Sequence, residues 1–226
     1  MPVTLVKKDD LSSLDWSEYT HLILVGGNSD LSEQQTVAVQ AWIKSGGTLI
    51  ATRDAALWAQ AAILGREEGE EEGEGEDATD SQPQRRNFDE MGLRDAEHVI
   101  GGAIFATDLD TTHPLGFGFA DRDLPVHRNV EFTLIRPDQN PYAVPVEYAE
   151  EPLLSGYTSE RRLEEIGGTP AIVAERDGRG AVILMADNPV FRGTYPGTEK
   201  LLMNAIFFSD LIDDPSGEYE ADEHQH

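Results

Sequence analysis

Asp108, Asp110 and His113 are the best candidate metal ligands in the chain. Carboxylate and imidazole groups on one loop can hold a divalent cation, and a hydrolase could be built on such an ion. The sequence places this loop after a strand, where open α/β sheets bind ligands. The alternative is turn chemistry, in which the aspartates cap backbone amides and the His-Pro pair fixes a bend. The residue types favour the turn.

Two arginines form the second candidate site. Arg53 follows the apolar run 48–52, and Arg192 follows the segment ADNPVF, so we expect both at one end of a sheet. Two guanidinium groups there could clamp a carboxylate, such as a peptide C-terminus or an acidic side chain. The alternative is that Arg53 pairs with Asp54 and Arg192 with Asp187, so that each arginine only braces a loop. The sequence favours bracing.

The stretch GGTLIATRDAALW, residues 46 to 58, has the pattern of a strand, a sharp corner and a helix. In many α/β hydrolytic enzymes a serine or cysteine nucleophile occupies such a corner. Here the corner holds Thr52, Arg53 and Asp54. A threonine hydroxyl without a neighbouring base stays protonated and is a weak nucleophile. We therefore expect no glutaminase, esterase or peptidase turnover from this corner.

The composition excludes several classes of protein. The 226 residues contain no cysteine, which rules out disulfides, thiolate zinc sites and a cysteine nucleophile. The formal net charge is −26, so nucleic acid and anionic membranes are poor partners. No apolar run reaches the roughly 18 residues of a membrane span, and the N-terminus lacks a signal-peptide pattern. We expect no membrane insertion. The sequence does not indicate the cellular compartment, and export of a parent protein is one of the alternatives.

Apolar runs bounded by turn residues predict the strands that must position these groups. Continuous runs of this kind suit strands buried on both faces of a parallel sheet. The region 124–148 adds short extended pieces broken by prolines, and Asp177-Gly178 marks a hairpin. The predicted parallel strands are 3–6, 21–26, 48–52, 99–107 and 181–186.

Helix signals alternate with the strands over the first third of the chain. Ser32 is a candidate N-cap with Gln35 at the capping-box position, and Gly46-Gly47 ends that helix. A second helix follows Asp54, and a third covers 198–211. Alternation of strand and helix predicts a βαβ unit with a right-handed crossover.

Two acidic segments lie outside this pattern. Residues 65–86 are a Glu/Gly-rich, low-complexity insertion that cannot bury apolar surface. We expect residues 66–84 within it to be mobile, so that their deletion leaves the melting temperature nearly unchanged. Residues 212–226 form an acidic tail. The interpretation is one domain, 1–211, with one inserted loop and one tail.

The quoted corners together resemble the class I glutamine amidotransferase-like fold, which has a flavodoxin-like sheet. LILVGGN, residues 22 to 28, ends in Gly26, Gly27 and Asn28. It looks like the strand and turn that help form that family's oxyanion hole. GGTLIATRDAALW sits where the family places its nucleophile elbow. The resemblance implies an α/β fold with a mostly parallel sheet, helices on both sides and some antiparallel additions.

The family's catalytic triad does not carry over to this chain. Where the family needs a cysteine flanked by glycines, this sequence has Thr52 and Arg53. The segment GRGAVILMADNPVF sits where the family has a strand ending in His-Pro-Glu, and it places Asn188 at the histidine and Val190 at the glutamate. Asparagine is no general base near neutral pH, and valine cannot orient one. The resemblance therefore implies an amidotransferase-like fold without its catalyst.

Four longer segments look like the C-terminal domain of bacterial zinc carboxypeptidase-like proteins. They include IGGAIFATDLDTTHPLGFGF and GRGAVILMADNPVFRGTYPGTEKLLMNAIFF. The resemblance implies an accessory domain that supports or orients a peptidase domain, in cis or as a partner, or its peptide substrate. Zinc would belong to that parent peptidase domain, because no histidine here has a glutamate three residues later.

Three functional hypotheses stay open at this point. The first is the non-catalytic accessory domain, with no cofactor of its own. The second is an independent hydrolase that uses Asp108, Asp110 and His113. The third is a module that binds a carboxylate or a peptide end through Arg53 and Arg192. The further binding candidates are Gly26, Gly27, Asn28, Asp187 and Asn188.

Overall fold

The computed structural model describes residues 2–27, 31–66 and 100–215. They form a mixed α/β fold with one seven-stranded sheet and helices on both of its faces. Asn28, almost all of the acidic insertion and most of the acidic tail lie outside these residues. Within them, no helix is both long and apolar enough to cross a membrane.

Seven strands and four α-helices are present in the described residues. The strands are β1 His21–Leu24, β2 Thr48–Thr52, β3 Ala103–Leu109, β4 Asp123–Arg128, β5 Val146–Ser155, β6 Pro170–Asp177 and β7 Gly180–Met185. The helices are α1 Glu33–Lys44, α2 Asp54–Ala62, α3 Glu160–Ile166 and α4 Pro196–Phe208.

The sheet is mixed, with strand order β1-β2-β7-β6-β5-β3-β4. Only the neighbouring pairs β1–β2 and β2–β7 of this sheet are parallel, and its other four neighbouring pairs are antiparallel. The prediction of a mostly parallel sheet is therefore wrong. β2 and β7 are buried along their whole length, as parallel strands are, whereas burial alternates along β3 and β4. Alternating burial is the mark of an antiparallel strand with one face near solvent.

Two predicted strands need correction. Residues 3–6 form no strand, and the side chains of Val3 and Leu5 are 77% and 97% exposed. The apolar run was real, but no neighbouring strand covers it. The predicted strand 99–107 is observed at 103–109 and runs antiparallel to its neighbours. The hairpin at Asp177-Gly178 is confirmed as the β6–β7 connection.

The start of α1 has the capping box that the sequence predicts. The Ser32 hydroxyl accepts a hydrogen bond from the Gln35 N–H, and the Gln35 side chain accepts one from the Ser32 N–H. These bonds satisfy two backbone donors that the first helical turn leaves free. The helix then buries Val39, Trp42 and Ile43. A side chain at Gly47 would overlap the Trp42 ring, so the chain turns there at a glycine.

Each face of the sheet has its own core. On one face, α1 and α2 pack against alternate residues of β2 and β7, such as Leu49 and Leu184. On the other face, α4 packs with Leu201 against Ile50 and Met185. The second core also takes in the inward side chains of the antiparallel strands, so it joins the two halves of the sheet.

The antiparallel half of the sheet curls back toward the end of β7. Three strands separate β4 from β7, a lateral distance of about 19 Å in a flat sheet. Yet Nη1 of Arg128, the last residue of β4, lies 3.6 Å from Oδ1 of Asp187, just beyond β7. The curl brings residues from both halves to one place.

Candidate functional site at the carboxyl end of the parallel strands

Arg53 forms the corner between β2 and α2. Its backbone angles are φ 55° and ψ −133°, a conformation that costs a non-glycine residue about 1–3 kcal/mol. Its N–H donates to the Met185 carbonyl at the end of β7, at 2.9 Å, and its carbonyl accepts from Ala56 in α2, at 2.7 Å. The preceding residue, Thr52, is only 5% exposed. The corner that enzymes use for a nucleophile therefore presents an arginine.

The turn after β1 packs directly against this corner. A side-chain carbon built at Gly26 would lie 2.7 Å from Arg53 Cβ, closer than such atoms come in proteins. Gly27 has φ 106°, in the region that favours glycine. Both glycines are thus required by local geometry. The structure thus brings the Gly26-Gly27 turn into contact with the Arg53 corner.

Asp187, beyond the end of β7, belongs to a buried polar network. The Tyr148 hydroxyl donates to Asp187 Oδ2 and accepts from Arg128 Nη1, which lies 2.8 Å from it. The Arg128 side chain is fully buried and also donates to the Phe132 carbonyl, while that of Asp187 is 12% exposed. Arg128 and Tyr148 are residues that the sequence analysis missed.

Burial raises the pKa of Asp187, and the neighbouring Arg128, Tyr148, His127 and Arg53 oppose that rise. Burial, followed by the Asp187 charge, raises the pKa of Tyr148 well above its usual value. Tyr148 therefore stays protonated at all ordinary pH values and can donate to Asp187 throughout. The network holds the Asp187 carboxyl group in one orientation.

His127, near the end of β4, is a further member of the site. Its ring stacks on Phe191 with centroids 3.7 Å apart and planes 5° apart. Burial lowers the pKa of His127, although the nearby Asp187 charge opposes this, so the ring is mainly neutral near pH 7. A neutral imidazole beside Asp187 can accept or donate a hydrogen bond. The sequence offered no signal for this contact, because it depends on the curl of the sheet.

Arg192 contacts the same aromatic pair. Its guanidinium carbon is 5.1 Å from the centroid of the Phe191 ring, and that ring stacks on His127. Arg192 is exposed and has φ 53°. In the described part of the chain, Arg53 and Arg192 are the only residues other than glycine with positive φ.

The expected bracing pairs, Arg53 with Asp54 and Arg192 with Asp187, do not form. The ion pair of Asp187 is with Arg128, and the ion pairs between described residues include neither Arg53 nor Arg192. Arg53 Nε is buried and has no hydrogen-bond partner among the residues described. Neither guanidinium group has an ion-pair partner in the part of the chain that the structure describes.

A pocket opens between the ends of the strands and the start of α4. Its cavity volume is about 20 Å³, which is room for about one water molecule. Its walls are partly apolar, from Val126, Val146, Ile172, Met185 and Leu201. Its polar lining comes from His127, Asp187, Asn188 and Thr198.

Asn188 and Val190 occupy a local turn. The Asn188 side-chain oxygen accepts from the Val190 N–H at 3.0 Å, and the Val190 side chain is 46% exposed. The amidotransferase resemblance of the sequence predicts the base and the residue that orients it at these two positions. Their contacts are those of a turn beside the pocket.

Asp108 and Asp110 are held by their neighbours at a different place. Arg122 donates to both oxygens of Asp108, at 2.7 and 2.6 Å, and the hydrogen bond from this guanidinium is the main cause that lowers the pKa of Asp108. Asp110 accepts from the N–H and the hydroxyl of Thr112. β3 runs opposite to β7, so these residues leave the sheet in the opposite direction from Asp187.

His113 caps a short turn that follows. Its Nδ1 accepts from the Leu115 N–H at 3.1 Å, and burial lowers its pKa to about 4. Its contact with Leu115, like those of the two aspartates, is turn chemistry. Among the residues that the structure describes, no group of three acidic or histidine side chains is arranged to hold a metal ion.

The chain matches no protein-family model and no curated protein in sequence. Two solved structures align with most of it. The cytoplasmic protein STM3548 from Salmonella typhimurium is 12% identical with a TM-score of 0.46, over 92% of this chain and 76% of that one. The cold-adapted β-galactosidase from Rahnella sp. R3 is 14% identical with a TM-score of 0.39, over 87% of this chain and 24% of that one.

Proposed function

We propose that this chain is a non-catalytic accessory domain that binds the carboxylate group of a peptide end between Arg53 and Arg192. The observation that carries the proposal is Arg53 itself. It stands at the strained corner where related folds place a nucleophile, and its buried Nε lacks a partner among the described residues. Strained backbone is kept where the surrounding structure and a function require it.

The charge of the site supports an anionic ligand. Arg53, Arg128 and Arg192 stand against one acidic side chain, Asp187, and His127 is mainly neutral. The site therefore carries an excess of positive charge in a chain whose net charge is −26. Guanidinium groups pair with carboxylates through charge-assisted hydrogen bonds that are roughly twice as strong as neutral ones.

The same residues argue against covalent catalysis. An arginine stays protonated and cannot act as a nucleophile. Asn188 is an amide engaged in a turn, so it supplies no base. His127 could move a proton, but the hydroxyl at the corner, that of Thr52, is only 5% exposed, and Arg53 has no hydroxyl or thiol to activate. Binding without turnover is the chemistry that fits.

The role beside a peptidase rests on the resemblance to zinc carboxypeptidase-like proteins. The parallel core of β1, β2 and β7 with α1 and α2 on one face supports kinship with amidotransferase-like domains. A carboxypeptidase acts on chains that end in a free carboxylate, which is the group that this site suits. A zinc peptidase domain encoded in the same protein or beside it would support the assignment.

The test is calorimetric titration with one short peptide as its free acid and as its C-terminal amide. Hydrogen bonds to charged groups contribute about 1.5–3 kcal/mol, so we expect the amide to bind about ten to a hundred times more weakly. Arg53→Gln should weaken binding of the acid by a similar factor. Arg122→Gln, which changes an exposed arginine on the Asp108 side, is the control.

Equal binding of acid and amide would overturn the proposal, and so would an Arg53→Gln variant with full affinity. Hydrolysis of peptides, esters or glutamine by the purified chain would support an enzymatic function instead. Loss of that activity in His113→Ala alone would place it on the Asp108 loop, and loss in Thr52→Ala would place it at the corner.

A further inference from the structure

The outer side of α4 carries exposed apolar side chains. Met203 and Phe207, about one helical turn apart, are 45% and 61% exposed. Leu211 lies in the short 3₁₀ turn Ser209–Leu211 that continues the helix, and it is 66% exposed. A spacing of four residues places successive side chains on one side of a helix. The three side chains therefore form an apolar stripe about 12 Å long.

Phe117 lies beside this stripe, in a position that α4 fixes. Its ring meets the Phe208 ring edge to face, with centroids 5.0 Å apart, and its side chain is 64% exposed. The Asn204 amide donates to the carbonyl groups of Leu115 and Phe117, at 2.7 and 3.0 Å. These bonds hold the loop against the helix, so the surface is formed before anything binds to it. The α4 surface is the set Phe117, Met203, Phe207 and Leu211.

The α4 surface differs from the outer sides of the other helices. α4 already buries its inner side, with Leu201 and Ala205 in the core beneath the sheet. A helix that is apolar on two sides has the pattern of one that is covered on both. On α1 and α2 the exposed large apolar residues stand singly, as Val37 and Leu57. Single exposed residues are ordinary, whereas a contiguous group marks an interaction site.

The charge beside the α4 surface is negative. Asp210, Asp213 and Asp214 are all exposed at the end of the helix. The ammonium group of Lys200, earlier on the same helix, is engaged by the Gly118 carbonyl. From Asp210 to the end of the sequence there are seven acidic residues and no lysine or arginine. A complementary partner therefore carries positive charge beside its apolar side chains.

This charge also decides between the other occupants. Two copies of the chain would each bring a net charge of −26 to the contact, so their association is opposed. An anionic membrane surface is repelled for the same reason. A basic partner protein satisfies both the apolar side chains and the acidic ones beside them.

The form of the α4 surface suits a helix. The backbone N–H and C=O groups of a helix are bonded within it, so α4 offers no open edge to which a strand could be added. Side chains along a helix form ridges, and a second helix packs by placing its own apolar side chains between them.

We propose that the α4 surface docks an amphipathic helix of a partner protein, one whose apolar face is bordered by lysine or arginine. The inference goes beyond the proposed carboxylate site and uses none of its residues. It supplies a contact by which an accessory domain could be held against another protein.

The test is calorimetric titration of the full chain with designed peptides of about 14 residues, roughly 21 Å long as helices. The first is an amphipathic helix of leucine and lysine. The second has glutamate in place of lysine, and the third is the first in a scrambled order that has no apolar face. We expect the leucine/lysine helix to bind about tenfold or more tightly than either of the others. The scrambled peptide separates docking from general attraction to an acidic chain.

Phe207→Ser is the variant, and Val37→Ser is the matched control because Val37 is a 58% exposed apolar residue on α1. Loss of a central aromatic side chain should weaken binding of the leucine/lysine helix by about tenfold or more, whereas the control should bind as the wild type does. Thermal unfolding of each variant checks that it is folded. Leu211→Ser, at the end of the stripe, provides a second variant if Phe207→Ser does not fold.

Several results would overturn the inference. Unchanged binding in Phe207→Ser and Leu211→Ser would show that the peptide is attracted to the acidic chain as a whole. Equal binding of the three peptides, or no binding of any, would exclude a basic amphipathic helix. A dimer in sedimentation equilibrium that Phe207→Ser dissociates would assign the surface to a second copy. Binding to phosphatidylcholine vesicles that the same change abolishes would assign it to a membrane.

Discussion

The backbone conformation of Arg53 is unfavourable for any residue other than glycine, so it lowers the stability of the fold. Its backbone conformation is one that glycine adopts freely, and Gly26 leaves room for the arginine stem. Arg192, with φ 53° and ψ 13°, shares the feature in a milder form. Both arginines that the sequence singled out for carboxylate binding are thus held in strained positions.

Arg53→Gly should make the protein more stable. Relief of about 1–3 kcal/mol of strain exceeds the conformational entropy cost of a glycine, about 1 kcal/mol or less, so we expect a net gain of about 1 kcal/mol. The same variant should lose carboxylate binding. Urea unfolding and peptide titration measure the two effects, and a destabilised Arg53→Gly variant would show that the guanidinium holds the corner together.

His113 predicts a pH dependence of stability that is independent of the proposed site. Burial lowers its pKa from 6.5 to about 4, so the unfolded chain takes up a proton first as the pH falls. Its contribution is present above pH 6.5 and is lost as the pH falls toward 4. At pH 5 the loss is about 2 kcal/mol.

His113→Asn should remove this dependence, because an asparagine oxygen can still accept from the Leu115 N–H but does not titrate. The measurement is urea unfolding of both proteins at pH 8 and pH 5. Between pH 8 and pH 5 the wild type should lose about 2 kcal/mol more of its free energy of unfolding than the variant does. Parallel pH profiles would contradict the assignment of the buried neutral ring.

At the scale of elements, the sequence predicted local structure well and strand direction poorly. The start of α1 at Ser32, the corner after β2 and the β6–β7 hairpin were predictable, because capping residues, apolar runs and turn residues act over a few positions. The direction of β3 was not, because a short apolar run has the same pattern in either kind of sheet. Residues 3–6 show that such a run can also stay outside the sheet.

Ser32→Ala should destabilise the protein by about 1 kcal/mol, because the Gln35 N–H would lose its acceptor at the start of α1. Ser32→Asp should keep most of the stability, since its carboxylate can cap the same N–H and suits a helix N-terminus. Thermal or urea unfolding of the two variants provides the comparison. Equal losses would show that the hydroxyl bond does not stabilise the helix.

At the scale of the whole molecule, the curl of the sheet completes the candidate site. Gly26, Gly27 and Arg53 were predicted at the carboxyl end of the parallel strands, and the structure places them there with Asp187 and Arg192. The sequence could not supply His127, Arg128 or Tyr148. His127 and Arg128 lie on β4, which three strands separate from β7 in the sheet order, and their approach to Asp187 depends on how the antiparallel half bends. Tyr148 lies on β5, with β6 between it and β7.

Tyr148→Phe tests how strongly the Arg128–Tyr148–Asp187 network joins the parallel and antiparallel halves of the sheet. The change removes the hydroxyl that donates to Asp187 Oδ2 and accepts from Arg128 Nη1, so each of these atoms loses one hydrogen bond. We expect a loss of about 1–3 kcal/mol in the free energy of unfolding. Tyr157→Phe, at a side chain that is 75% exposed, is the control and should stay within about 0.5 kcal/mol of the wild type. A loss no larger than that of the control would show that the network adds no stability.

The parallel pairing of β2 with β7 also sets a delay during synthesis. Thr52 pairs with Met185, which is made 133 residues later, so at roughly 5–20 residues per second the ribosome needs about 7–27 s to supply the partner strand. Throughout that interval the edge of β2 that β7 covers in the folded sheet has no partner. An open apolar edge is where nascent chains pair wrongly, so we expect mispairing during synthesis to begin at β2 rather than at strands whose partners follow directly.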